Sequence, residues 1–579
     1  MDTPLPAGHF SETYPDHAAL TAQLRQWADA YPDVVRLQSL VQTPEGRDVW
    51  LLIIGPDPDR VRPGIWVDGN MHGAELAGCS VALAIAEAAI GLHHPEAVGI
   101  QDLPEHRRES LRDVLFYICP RLSPDGAEHV LHTGSFIRSA PRRAAHAEHS
   151  ARWEPEDLDG TGWCRLLRIP DPAGDFVASD EHPGLMLPRR IEDPPPYYRV
   201  YPEGRVANWD GHTLPQPSGL SGVTDFNRNF PWSWRPEPDQ IGAGDYPGSE
   251  PETRAVIAFA AEHPNLFAWL NLHTFGGVFI RPRIDVPDTR MNQADLAIYR
   301  QLEEWGDETI GYPTVSGFEQ FTYEPEKPLH GDLVEYAYHQ RGCLAEVCEL
   351  WDLFRELERP PAKRFVENYA ALTRDDMLRF AAWDRTHNEG RMFRDWRPVD
   401  HPQLGPVEVG GVNPVIGVWN PPLARLPEIC RQMTDYWLRV ASMLPRLELV
   451  SVRVEPVATD IHRLVVEVAN RGYLSSDGIS TSAESPWNET PRAEVQCEGC
   501  ELDAAEPAMR SLEHLDGWGR GLGVWSHMPW LQRSRGSGHR QTVSWLVRGS
   551  GVATLQVGNA RLGWLRRRID LASAESSVL

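Results

Sequence analysis

One run, Asp68-Gly69-Asn70-Met71-His72-Gly73-Ala74-Glu75, constrains this chain more than any other stretch. It joins a short apolar segment, Ile65-Trp66-Val67, that reads as a buried strand to a long apolar segment, Leu76 to Ile90, that reads as a buried helix. Open α/β sheets hold their ligands at such strand ends. His72 and Glu75 lie three residues apart on that turn, so an imidazole nitrogen and a carboxylate oxygen can face one ion. Together they supply two of the three protein ligands of a His₂Glu catalytic zinc site, whose fourth position belongs to water.

The rest of the chain supports an α/β frame around this turn. Leu20, Leu24, Trp27, Ala28 and Tyr31 recur at helical spacing before Pro32. Val34 to Leu40, Asp48 to Ile54, Val114 to Cys119, Leu266 to Leu272 and Cys343 to Leu350 read as strands. A helix is expected after Ser249, with Ser249 as its cap and Glu252 three residues on. Strands alternating with helices indicate a sheet covered on both faces. Residues 141–225 break the pattern; rich in Pro, Asp, Arg and Gly, they read as a large insertion. Within it, Asp157 to Gly162 lacks the flanking spacing of a calcium loop and reads as an Asx/Gly turn. An amphipathic helix with Ile429, Met433, Trp437 and Val440 precedes a switch to period two, in Val450, Val452 and Val454, then Leu464, Val466 and Val468. The expected organisation is therefore a catalytic α/β domain over residues 1–445, with the insertion at about 141–225, and a β-sandwich over 446–579.

Composition removes several function classes. A formal charge of −26 over 579 residues argues against nucleic-acid binding, which wants a basic surface. No stretch approaches the apolar length of a membrane helix, and Met1 to Pro6 lacks the basic and apolar regions of a secretory signal. Eight cysteines in so long a chain do not make a disulfide framework, so a cytoplasmic setting is expected.

The third ligand must come from elsewhere. His273 ends an apolar strand and is followed by Thr274-Phe275-Gly276-Gly277, where backbone can approach a ligand closely. Glu349 and Glu346 compete for the role of general base: strand side chains alternate faces, so only one of them can line a given cleft.

These residues, taken in order, resemble the zinc carboxypeptidases of the carboxypeptidase A type: His72-x-x-Glu75, Pro124-Asp125-Gly126, Arg138, Asn227-Arg228, His273 and Glu349-Leu350. The resemblance runs from near residue 10 to about 360 and implies a mixed eight-stranded sheet flanked by helices, with one zinc per chain at the strand ends. It implies His72, Glu75 and His273 as ligands and Glu349 as base, the latter because Ala337-Tyr338-His339-Gln340 precedes it at the family's spacing. It further implies Arg138 as the carbonyl-polarising arginine, with Arg142 as fallback, Asn227 and Arg228 as the grip on a substrate's terminal carboxylate, and Tyr323 as the mobile active-site tyrosine. Gly331, before Asp332, falls where the family sets specificity, so no charge is expected there, which argues against a strict preference for basic or acidic C-terminal residues and for an open pocket that takes apolar or bulky groups. The implied function is a metallocarboxypeptidase acting on peptides with a free C-terminus. The alternatives are a zinc amidohydrolase of cell-wall peptides or N-acyl amino acids and an inactive binding homologue; oligomeric state is left open.

Overall fold

Apolar runs too short for helices and rich in Val, Ile, Leu and Trp build the centre of the molecule. The computed structural model describes residues 9–96, 103–142, 150–217, 223–322, 324, 327–360, 362, 364–369, 372–519, 536–572 and 577–578. Eight strands form one sheet: β1 (Val35–Gln42), β2 (Asp48–Ile54), β3 (Gly64–Gly69), β4 (Leu115–Cys119), β5 (Leu266–Thr274), β6 (Val278–Arg281), β7 (Thr314–Ser316) and β8 (Leu344–Leu350). Their spatial order is β1-β2-β4-β3-β5-β8-β6-β7. β3, β5 and β8 run parallel at the centre, and the antiparallel pairs β1–β2, β2–β4 and β6–β8 lie to either side. β3, β5 and β6 are buried at every position, as expected of strands covered on both faces.

Register decides which side chains share a face. Trp269 pairs with Trp66 and Asn271 with Asp68 on one side of β5; Asn271 pairs with Val347 and His273 with Glu349 on the other. Trp66, Asp68, Trp269, Asn271, His273, Val347 and Glu349 therefore line one face. That face is covered by α4 (Pro251–Glu262), whose Phe259 ring lies 5.4 Å from that of Trp66, and by α5 (Leu333–His339), whose Tyr336 meets Trp269 edge-on. Glu346 and Cys348 point the other way, to α6 (Leu426–Ala441): Tyr436 hydroxyl donates to Glu346 at 2.5 Å, and Cys348 Sγ lies 3.8 Å from Met433 Sδ. α1 (His17–Ala30), α2 (Ala77–Gly91) and α3 (Pro124–Thr133) come earlier in the chain.

Two local expectations change. The cap of α4 is Glu250, not Ser249, because Pro251 takes the first helical position, where a missing N–H costs nothing; Ser249 Oγ instead accepts from Asn229. The Pro-rich stretch is also more regular than its composition suggests. Its strands at Leu166–Pro170, Phe176–Ala178, Met186–Pro188 and Tyr198–Pro202 join the hairpin Phe393–His401 and Gly405–Val412 in a six-stranded sheet. Asp159 accepts from the Thr161 N–H two residues on, an Asx turn, and Asp157 accepts from the Thr161 and Gly162 N–H groups. His401 has a turn role as well, donating to Gly204 O and accepting from Gln403 N–H.

The C-terminal region forms a five-stranded and a four-stranded sheet, antiparallel throughout, around a core of Val452, Leu464, Val466, Trp545, Leu555 and Val557 among others. All eight cysteines are free. No helix among the described residues is long and apolar enough to cross a membrane. Buried Arg561 ties this region to the central sheet: its guanidinium donates to Leu266 O and Gly342 O at 3.4 and 3.0 Å and lies 4.1 Å from the Phe267 ring centroid. Arg561→Ala leaves two carbonyls without that charged donor and should lower stability by roughly 3 kcal/mol, read as a fall in the urea midpoint.

Candidate metal centre and active-site pocket

The turn between β3 and α2 is held from inside by Asn70, which takes a left-handed φ of 53°. Its amide donates to His72 O at 2.7 Å, and Arg121 Nε donates to its Oδ1 at 3.1 Å. Gly73 packs against Gly126 so closely that an added Cβ would lie 2.8 Å from the Gly126 carbonyl. The Gly73 N–H donates to Arg138 O at 2.8 Å. The Asp125-Gly126 turn and the His72 turn therefore fit together as one unit, and that contact sets the position of Arg138.

His72, Glu75 and His273 converge there, all buried. Glu75 Oε1 lies 2.7 Å from His72 Nδ1, Glu75 Oε2 lies 2.9 Å from His273 Nδ1, and the two Nδ1 atoms are 3.1 Å apart. The outer nitrogens show what this crowding means. His72 Nε2 lies 3.1 Å from Asp225 Oδ1, and His273 Nε2 lies 2.6 Å from Asn271 Oδ1. Both of those partners are acceptors, so each Nε2 carries the proton and each Nδ1 presents a lone pair. Two imidazole lone pairs and a carboxylate then face one another at a buried spot, an arrangement that repels itself unless a cation sits between them. The donor set, its spacing and its outer hydrogen bonds fit a zinc ion.

Burial raises the Glu75 carboxyl, but positive charge at the His72 and His273 positions outweighs it and holds the group well below the usual carboxylate range, the part that a metal ion would play there. Burial likewise pushes Asp225 up, against the stronger pull of Arg138 and His72, which leaves it ionised. Arg138 Nε donates to Asp225 Oδ2 at 2.9 Å, while Arg138 Nη1 lies 3.8 Å from Glu75. Burial lowers His273, favouring the neutral ligand form.

A cavity of about 310 Å³ opens onto the centre, lined by Arg138, Asn227, Arg228, Glu349 and Asp332 together with apolar side chains such as Ile280, Phe321 and Trp419. Glu349 lies beside His273 across the β5–β8 pair, and its buried Oε2 has no hydrogen-bond partner among the described residues. Burial, then repulsion from Glu75, pushes its carboxyl well up. Glu346 is out of reach on the opposite face. Arg142 is out of the pocket too, gripped by Glu250 and Glu252 and 3.5 Å from Asp125. Asn227 Oδ1 accepts from Leu333 N–H at 2.9 Å, and Arg228 Nη1 donates to Asn227 O. Tyr323 lies outside the described residues.

Four participants escaped sequence reasoning. Asp225 caps a 3₁₀ turn, Phe226–Arg228, that holds Asn227, and Asn271 stands two residues before His273 on β5, which in a strand means the same face. Trp419 comes from a part of the chain with no motif. Asp332 corrects the expectation of an uncharged specificity position: it lines the pocket, its Oδ1 capping α5 through Glu335 N–H while its buried Oδ2 is without a partner among the described residues. The helix cap places this carboxylate in the wall, one residue beyond the glycine on which that expectation rested. Asn271→Ala frees the His273 ring and should lower zinc affinity roughly 10–100-fold, measured by competition with a chelator.

Comparison with known proteins adds to this geometry. A family model described as zinc carboxypeptidase matches residues 20–163 and 205–371, and one described as a domain of unknown function matches residues 446–570. A zinc carboxypeptidase of Saccharothrix mutabilis subsp. capreolus is 28% identical over 125 residues, 21% of this chain and 27% of that protein. The matched stretch thus spans about a quarter of that relative's length. Among solved structures, carboxypeptidase A from Helicoverpa armigera aligns with a TM-score of 0.39 at 17% identity, over 58% of this chain and 65% of that one. A metallo-carboxypeptidase from Burkholderia cenocepacia aligns at 0.34 and 14%, over 73% and 67%.

Proposed function

The chain belongs to the zinc carboxypeptidase family, and on that footing we propose that it hydrolyses the C-terminal peptide bond of peptides bearing a free carboxylate. The observation that carries this reading is one pocket holding both the His72–Glu75–His273 donor set and, beside a Glu349 whose Oε2 has no partner among the described residues, the cationic Arg228. When bound, zinc supplies Lewis-acid chemistry, polarising a carbonyl and acidifying water.

The remaining work falls to the chain's own side chains. Glu349 takes the proton of the attacking water at Oε2 and delivers it to the leaving nitrogen; burial raises the proton affinity of its carboxylate, which favours that uptake. Arg138, anchored through Nε to Asp225, turns its remaining donors to the oxyanion that develops on the carbonyl, worth about 3 kcal/mol. Arg228 binds the terminal carboxylate, which its planar fork suits, and Asn227 orients the same group. In the apolar wall, Asp332 favours a side chain that ends in a positive group.

Three outcomes test the reading. Glu349→Gln should keep its zinc and lose at least about 100-fold in kcat; normal turnover by that variant removes Glu349 from the role. Arg228→Ala should hurt peptides with a free carboxylate far more than amidated ones, and equal cleavage of the two by the unaltered protein sinks the exopeptidase assignment. Burial and Glu335 push the Asp332 carboxyl up to about 7 against the pull of Arg228. The group is thus protonated below that pH and charged above it. The preference for Lys-ended over Leu-ended peptides should rise as pH climbs through about 7, and Asp332→Asn should flatten that rise in kcat/KM.

A further inference from the structure

A second group of metal-ligating side chains meets behind the pocket wall. Glu335 and His339 stand four residues apart on α5, one turn, and so project from one side of the helix. The loop after β6 brings Asp285 to the same place, and one donor atom from each of the three lies within 4.8 Å of the other two. Glu335 is 2% exposed. Its Oε1 accepts from the Ile284 N–H at 3.1 Å. Its Oε2 has no hydrogen-bond partner among the described residues, and neither does His339 Nε2.

Yet these two atoms lie only 3.2 Å apart. They touch without being aligned. At that distance the two form an ion pair when the imidazole is protonated, but they do not make a hydrogen bond. Two ligands of one small cation have this relationship: donors about 2.1 Å from a tetrahedral ion stand roughly 3.4 Å from each other. The Trp232 ring, stacked on His339 at 4.1 Å and 12°, fixes the imidazole plane.

Arg283 donates to both Asp285 oxygens, at 2.9 and 2.8 Å, and each oxygen keeps a second lone pair. One guanidinium against two carboxylates leaves the cluster room for further positive charge. The Asp285 side chain is 40% exposed, which gives an ion a way in.

We propose that Asp285, Glu335 and His339 form a second divalent-cation site, separate from the His72 centre, with a donor set of one imidazole and two carboxylates suited to Zn²⁺. Ile284 and Asp332 both line the pocket, the first bonded to Glu335 and the second capping the same helix. A cation here clamps α5 to the 282–290 loop and stiffens the wall that Asp332 belongs to.

The test uses full-length protein stripped with a chelator, reloaded with Zn²⁺ and desalted, with bound zinc counted by elemental analysis and by calorimetric titration. The unaltered chain should take two equivalents, and Asp285→Asn, His339→Gln and His72→Ala one each. Added Zn²⁺ should raise the melting temperature of His72→Ala but not of the His72→Ala/Asp285→Asn double variant. A single equivalent in the unaltered chain, or two retained in Asp285→Asn, overturns the proposal. Should His339→Gln fail to fold, the partly exposed Asp285 carries the test alone. None of these readouts depends on peptide hydrolysis.

Discussion

Two histidine Nδ1 atoms held 3.1 Å apart are the constraint on which the rest of this structure depends. Nothing in the two imidazoles favours that approach. It is imposed by Asp225 and Asn271, which hold the outer nitrogens and leave the inner ones facing each other. Each of these partners is fixed in turn: Asp225 by Arg138 and the Asn227 N–H, Asn271 by Asp68. Asp68 is itself buried and accepts from the indoles of Trp66 and Trp269. The centre is thus the end of a chain of donors and acceptors rooted in the middle of the sheet. Such a chain is strong only when every member is satisfied, because low local polarity penalises any group left unpaired.

The sheet supplies the alignment this needs. His273 and Glu349 are register partners on adjacent parallel strands, so a candidate ligand and the proposed base stand side by side. A slip of one residue would turn Glu349 away and bring forward Cys348 or Leu350. Glu346 shows the other face of the same strand: a carboxyl pushed up to about 8 by burial, with Tyr436 donating to it. Two acids three residues apart thus meet opposite fates because side chains alternate along a strand.

Packing beyond the central sheet bears on the pocket as well. Trp419, far downstream of the strands, meets Phe275 edge-on at 5.2 Å and lies 5.1 Å from Phe136, closing one side of the cavity. The segment 164–204, which separates the two stretches that match the family, shares a sheet with the 393–412 hairpin. Arg561 anchors the C-terminal sheets at the entrance to β5 and β8, and Ser480 adds a hydrogen bond to Asp295 at 3.0 Å. The strands that carry His273 and Glu349 are therefore braced from several sides.

Much of this was legible in the residues. The strand, turn and helix around His72, the strand ending near His273 and the parity that separates Glu346 from Glu349 follow from periodicity and local chemistry, which act over a few residues. The partners did not follow. His72 meets Asp225 across 153 positions, Trp419 closes a cavity from outside any motif, and the Pro-rich stretch finds its sheet partners in a hairpin far along the chain. Sequence determined which residues can bind an ion and which elements carry them. Tertiary structure decided which acceptors fix their protons and that Asp332 faces the cavity, because contacts between distant segments depend on sheet register and packing, which no local pattern encodes.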